Sequence, residues 1–319
     1  MLVRIKNIKI VTVLLLLALL PLQTVEAASK TQDEKKSAAV SAALEQKILA
    51  EQVAKTEAKE SIEEMKYGAW MSPVYSNFSD ENPQTSQRTK TYQVIMGGDY
   101  KINDMFISGL TVIHEDSKTN IMSSGPGNGL SSKGYTMAPY GAIIFNSHVF
   151  VDLLAGYGFL SKGTIRTSNI TGSSKSNRIL GSIGLTLTNT VNNFVMSVRT
   201  ATMYVCEREQ SYIESDGTYN RGPINRSANA SILGRVGYLV DGKWKPYIEV
   251  GGDYNTQTST LNYYSFIGTT PAAKKRAYNA GCGIEFQGSP WSGSLGFNRS
   301  NGHGSTRNDT FSLNIRRVF

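Results

Sequence analysis

Tyr92-Gln93-Val94-Ile95-Met96-Gly97-Gly98-Asp99-Tyr100-Lys101-Ile102 is the stretch on which the reading of this chain turns. Taken at every second residue, Tyr92, Val94, Met96, Tyr100 and Ile102 make one apolar face, and Gln93, Gly97, Asp99 and Lys101 make the other. Period two with one apolar side is the pattern of a β-strand. It recurs along the chain. Val149, Val151, Leu153, Ala155, Tyr157 and Phe159 oppose Asp152; Ile248, Val250 and Tyr254 oppose Glu249 and Asp253; Phe311, Leu313, Ile315 and Phe319 oppose Ser312, Asn314 and Arg316. In water the apolar side of such a strand meets a core. In a membrane barrel it meets lipid, and the polar side lines a lumen.

Loop lengths separate these two settings. Twelve strands are predicted: 67–78, 88–102, 104–117, 133–146, 148–161, 175–190, 192–208, 226–240, 243–257, 273–287, 290–299 and 308–319. Long connections rich in Ser, Asn, Gly and Thr (79–87, 118–132, 162–174, 209–225, 258–272, 300–307) alternate with tight ones at Asn103, Ser147, Val191, Asp241-Gly242 and Gly288-Ser289. Long loops on one side and short turns on the other are the plan of bacterial outer-membrane barrels. The strand lengths suit tilted bilayer crossings, which need about 9–11 residues. Lipid cannot satisfy an open strand edge, so the sheet must close on itself. Trp70, Tyr135, Trp244, Tyr247 and Trp291, near strand ends, are candidates for interfacial girdles. Phe319, an aromatic ending an alternating strand, is the kind of signal that barrel-assembly machinery reads; Arg317, two residues earlier on the same face, departs from the usual apolar residue there.

The segment before the strands is a different material. All 30 Gly, 16 Tyr, 11 Phe and 3 Trp of the 319 residues lie at or after Tyr67. Residues 1–27 carry Arg4, Lys6 and Lys9, then a short apolar run and Val25-Glu26-Ala27, the outline of a cleaved signal peptide. Residues 28–66 are rich in Lys, Glu, Ala and Gln without Gly or Pro, and Glu51 with Lys55 stands at helical spacing. Their apolar stripe, Val40, Leu44, Ile48, Leu49, Val53, Ile62 and Met65, is too irregular for a coiled coil. A helix over 31–66 would span about 54 Å, and a twelve-stranded lumen has room for one helix of about 10–12 Å diameter. The helical reading applies best to 50–66, whereas 31–50 reads equally as a solvated charged linker.

The net charge of +8 divides into +2 on 1–27, −1 on 28–66 and +7 on 67–319. On an exported chain with scattered charge this points to outer-membrane lipid and lipopolysaccharide rather than nucleic acid. Cys206 and Cys282, both at outward apolar positions, make no disulfide framework. Of His114, His148 and His303, only His114, in His114-Glu115-Asp116 near the loop end of its strand, resembles a base beside a carboxylate, and a solvated His at a barrel rim is the stronger reading. No nucleophile, metal or phosphate motif is present.

Residues 67–319 resemble the autotransporter β-domain, the translocator of type V secretion. The resemblance rests on an ordered set: Gly68-Ala69-Trp70; Tyr92 with Gly97-Gly98-Asp99-Tyr100, then Asn103-Asp104 and Gly109; Tyr140-Gly141; Phe150-Val151-Asp152 with Gly156-Tyr157-Gly158; Glu214-Ser215-Asp216-Gly217; Lys245-Pro246-Tyr247-Ile248-Glu249; and Gly281, Gly283 and Phe319. It implies an all-β transmembrane barrel of about twelve antiparallel strands, with an N-terminal α-helix in its lumen as tether for a passenger. The chain departs from the family in having only about 40 residues before the barrel after the signal, with no solenoid repeat, protease motif or adhesin domain, and residues 31–66 contain no Asn at which self-cleaving members cut. The expected organisation is a signal peptide at 1–27, a helical passenger, linker or plug at 28–66 and the barrel at 67–319. The expected function is translocation or display of the short N-terminal segment at the surface of a Gram-negative cell; the alternative is a small porin-like or surface-binding barrel. Neither enzymatic activity nor a cofactor or metal is expected. Periplasmic chaperones and assembly machinery are the expected partners of a monomer in the outer membrane. Asp99, Asp152, Arg199, Arg235, Glu249, Asp253 and Glu285 are the candidate lumen residues that contact the helix.

Overall fold

The computed structural model describes residues 66–81, 86–122, 128–166, 169–260 and, beyond these, 276–302 and 306–319. The expected signal peptide and helical segment therefore lie outside the described residues. Twelve antiparallel strands close into one barrel: β1 (Tyr67–Asp80), β2 (Gln87–Lys101), β3 (Phe106–Ile121), β4 (Asn128–Asn146), β5 (Val149–Arg166), β6 (Ile170–Val191), β7 (Phe194–Glu209), β10 (Ile224–Tyr238), β11 (Trp244–Thr260), β12 (Arg276–Gln287), β13 (Trp291–Gly302) and β14 (Thr306–Val318). A two-stranded ribbon, β8 (Tyr212–Ile213) and β9 (Tyr219–Asn220), sits in the connection from β7 to β10.

Closure is made by the first and last strands. Gly68 pairs with Val318 and the register runs unbroken in direction to Asp80 opposite Thr306. At the lower end the Phe319 N–H donates to the Tyr67 carbonyl at 2.8 Å, and the Lys101 N–H donates to the Lys66 carbonyl at 2.8 Å. No edge is left for lipid to satisfy.

The short connections are explained by their polar residues. The Asn103 carboxamide oxygen accepts from the N–H groups of Met105 and Phe106, both at 2.9 Å, and the Asn146 oxygen accepts from His148 at 2.8 Å. Asp241 and Gly242 both take positive φ, 52° and 64°, as a two-residue hairpin turn of this hand requires. The turn expected at Val191 lies instead at Asn192-Asn193. Asn192 has φ 56°, a conformation Asn tolerates and a β-branched Val resists.

On the other side the strands run further than the sequence pattern suggests. The segment 162–174, expected as a loop, is mostly paired wall: Lys162 opposes Ser174 and Arg166 opposes Ile170. Beyond the membrane both faces of a strand meet water, so a paired Ser, Gly, Thr and Lys stretch has the composition of a loop. β6 reaches 22 residues in this way.

The outer wall is apolar over a band and aromatic at its margins. Ile248 and Val250 are each 65% exposed, which is the signature of a surface that faces lipid. Above, the rings of Phe297, Phe311, Tyr75 and Tyr92 follow one another across β13, β14, β1 and β2 with centroids 4.8, 6.5 and 4.9 Å apart. Below, Tyr67 lies 5.1 Å from Tyr100, and Phe194 5.1 Å from Tyr238. Tyr67 and Tyr75 lie on one strand, separated by about 26 Å of its length at ~3.3 Å per residue. With the tilt of such barrels that is about 20 Å of height, close to the apolar band of an outer-membrane barrel. Arg317 extends its guanidinium over the rings of Trp291 (5.3 Å) and Phe319 (4.7 Å), so its charge is held at the lower aromatic belt rather than in the apolar band. Tyr135, Trp244 and Trp291 face outward. Trp70 and Tyr247, two of the girdle candidates, do not: both are buried on the inner wall.

Candidate functional site: the barrel lumen

Trp70 shares its face with Ser72, Val74 and Ser76, and all four are buried. It rests over Gly97 of the neighbouring strand, where a Cβ would overlap the indole ring. Its Nε1–H donates to the Tyr140 hydroxyl at 2.9 Å, and that hydroxyl donates to Asp99 Oδ2 at 3.0 Å. Tyr140 itself lies over Gly109, and Tyr247 over Gly283. Gly97, Gly109 and Gly283 are thus seats for inward aromatic rings from adjoining strands. Trp70, Val74, Ile95 and Ile113 form one apolar patch on the inner wall; Ala138, Leu154, Leu180, Met203 and Val205 form a second; Tyr140 touches both.

Charged clusters occupy the rest of the wall, and all seven candidate residues lie on the inner face. Near the lower mouth Arg316 grips Asp99 with two bonds of 2.7 Å. Further round, Arg199 pairs with Asp152 through both nitrogens, Nη2 to Oδ2 at 3.0 Å. Arg235 bridges Glu249 (2.7 Å) and Glu285 (2.6 Å), and Lys245 joins Glu285 at 2.7 Å. The Tyr247 ring lies 3.9 Å beneath the Arg235 guanidinium. Asp253 accepts from the Asn279 amide at 2.9 Å. Higher in the barrel is a cluster absent from the candidate set. Arg178 binds Glu115 (2.8 and 3.1 Å) and Glu207 (3.0 and 2.9 Å). Lys162 joins Glu207 at 2.5 Å and Glu209 at 3.1 Å. Glu115, Arg178 and Glu207 are not singled out as lumen residues in the sequence, although they stand at inward positions of their strands; nothing local in the sequence says that residues 63 positions apart meet. Contact of any of these residues with the N-terminal segment lies outside the described residues.

Several inner polar groups are left over. Both amide atoms of Gln93, Oδ1 of Asn229 and Nδ2 of Asn314 are buried without a partner among the described residues. A buried amide normally bonds to protein or water.

His114 does not form a base–carboxylate pair with Glu115. Its ring points to the outer face, 4.6 Å from Tyr135, with Nδ1 3.1 Å from the Gly134 carbonyl oxygen. Glu115 points the opposite way, into the barrel, and is held by Arg178. His114 and Glu115, on opposite sides of one strand, cannot act together, and Asp116, on the same side as His114, lies 3.7 Å from Lys133. His148 is 3.1 Å from the Thr188 carbonyl, and His303 lies outside the described residues.

In the long connection, Glu214 to Gly217 makes a tight turn. The Gly217 N–H donates to the Glu214 carbonyl at 2.9 Å, with Gly217 at φ 86°. The Thr218 N–H donates to Asp216 at 2.9 Å and holds that carboxyl below its ordinary range. Arg166 reaches Glu214 at 3.1 Å, which ties this turn to the end of β5.

The chain matches the autotransporter beta-domain family over residues 69–298. It belongs to that family. Among solved structures, the translocator domain of autotransporter NalP from Neisseria meningitidis superposes with a TM-score of 0.65 at 12% identity, covering 88% of this chain and 98% of that one. The beta domain of the Bordetella autotransporter BrkA gives 0.66 at 14% identity, covering 80% and 100%. The transport unit of AIDA-I from Escherichia coli gives 0.61 at 16% identity, covering 85% and 97%. At these identities the likeness is one of fold. No curated protein sequence matches the chain. As a member of the autotransporter β-domain family the chain is an outer-membrane translocator-type barrel, and its Gly-seated Trp70 and Tyr140 stand within the matched residues.

Proposed function

We propose that residues 1–27 direct export, that the barrel inserts with its long connections outside, and that residues 28–66 pass through the lumen so that their N-terminal part is displayed at the cell surface. The observation that carries this reading is the buried inner amide of Gln93, with Oδ1 of Asn229 and Nδ2 of Asn314, which have no partner among the described residues. Inner polar groups without partners on the wall suit a polar segment beside them. Lys66 is fastened at the lower mouth by Lys101, so the segment before it starts beside the lumen with no spacer. The mixed charges of 50–66 suit a wall carrying both signs, and the stripe of Val53, Ile62 and Met65 suits the two apolar patches. The work of the barrel is transport and display rather than bond breaking. Phe319, bonded to Tyr67 at the closing seam, is the residue through which assembly machinery and chaperones recognise the last strand.

Protease added to intact cells tests the display. Cleavage within residues 31–50 while the barrel stays whole is the expected result; protection on intact cells with cleavage after the outer membrane is opened would place the segment in the periplasm and favour the porin-like reading.

A further inference from the structure

Above the upper aromatic belt the outer wall changes from apolar to basic. Lys90, Lys118, Lys133, Lys175, Arg208 and Arg226 all point outward and are exposed. Among the described residues the acid within ion-pair range of any of these six is Asp116, 3.7 Å from Lys133. At one place this collar is shaped into a cleft. Where β6, β7 and β10 rise beyond the membrane, a hollow of about 440 Å³ is lined by Asn177, Arg208, Gln210, Ser211 and Arg221 with Ile224. Glu209 also borders it, but its carboxylate is turned inward to Lys162 (3.1 Å) and the Ser174 hydroxyl (2.6 Å). The cleft is therefore cationic. Arg208 pairs in register with Ile224, Arg226 with Cys206, and the Gln210 N–H donates to the Lys175 carbonyl at 2.8 Å, so Lys175 and Arg226 flank the hollow. Directly below, Ile179 is 56% and Tyr204 45% exposed on the same face. Arg208 lies about 13 Å of strand above Tyr204, at ~3.3 Å per residue.

We infer that this cleft is a lipopolysaccharide site, in which Arg208 and Arg221 hold a phosphate of the lipid A headgroup while Ile179 and Tyr204 lie against its acyl chains. Guanidinium groups match phosphate geometry with paired charge-assisted bonds. The vertical order of the wall, apolar below and cationic above, is the order of the lipid itself. The site rests on the barrel lying with its long connections outward, where lipopolysaccharide forms the leaflet.

The test uses the full chain in detergent, with bisphosphorylated lipid A, dephosphorylated lipid A and phosphatidylglycerol as probes and retained lipid read by native mass spectrometry. Bisphosphorylated lipid A is expected to bind at least tenfold more tightly than either other probe. The double variant R208Q/R221Q is expected to lose that tenfold, and K101Q at the opposite mouth to keep it. Equal binding of the three lipids by the unaltered protein, or undiminished binding by a folded R208Q/R221Q barrel, would overturn the assignment. The lipid comparison decides even if the double variant fails to fold. Orientation is read separately by Ser211→Cys, in a background without Cys206 and Cys282, with a membrane-impermeant thiol reagent on intact cells. Labelling with lost lipid selectivity sinks the site alone; absence of labelling removes its access to the outer leaflet and sinks it with the topology.

Discussion

Removing residues 28–66, with Ala27 joined directly to Tyr67, is expected to raise the ion conductance of single barrels in planar bilayers severalfold. Eight strands fill with their own side chains and sixteen to eighteen leave an aqueous channel; twelve fall between. The inner ion pairs run along the wall. Arg316 on β14 reaches Asp99 on β2, and Arg235 on β10 reaches Glu285 on β12, in each case over one intervening strand. Pairs of this kind brace the wall, and in the proposed reading residues 28–66 take the axis. Unaltered conductance after the deletion would mean that the segment does not occupy the lumen.

The second large effect is expected at Arg178. Arg178 is 3% exposed, and its guanidinium makes four bonds to Glu115 and Glu207, themselves 3% exposed. Arg178→Met leaves Glu115 buried without its cation, while Glu207 keeps Lys162 at 2.5 Å. Breaking a buried pair from one side costs about 3–5 kcal/mol, whereas removing both charges is often near neutral. Urea unfolding in lipid vesicles should therefore show Arg178→Met strongly destabilised and the double variant R178M/E115Q recovering most of the loss. Equal loss in the single and double variants would show that packing around the guanidinium, rather than the stranded carboxylate, sets the stability.

How far the sequence is legible can be traced through particular residues. Strand number and the alternation of long and short connections follow from period-two patterning and from turn residues such as Asp241-Gly242, and the closed twelve-stranded barrel has both. Strand limits beyond the membrane do not follow, because Lys162 to Arg166 pair with Ile170 to Ser174 through mostly small and polar residues that lack a one-sided apolar pattern. Parity separates lumen from lipid where the inner face is small or polar: Asp99 shares its face with Gly97 and Lys101, and Glu249 with Gly251 and Asp253, whereas Asp152 stands between Phe150 and Leu154. The same parity puts Trp70 with Ser72 and Tyr247 with Glu249, on the inner face, and it outweighs the aromatic character and strand-end position that make both girdle candidates. Height and partner are hidden, since Arg316 and Asp99 are 217 residues apart and meet only when β1 and β14 close. The two apolar patches inside the barrel are equally hidden, because Ile95 and Leu154 alternate with outward residues that are apolar too.

Disulfide cross-linking most directly tests the proposed course of the N-terminal segment through the lumen, in a chain without Cys206 and Cys282 that carries Ala58→Cys together with a cysteine on β2. Scanned through β2, cross-links are expected at inner positions such as Gln93 and Ile95 and absent at the outward Val94 and Met96. Cross-links to neither face, or to both alike, would contradict a segment held inside the barrel.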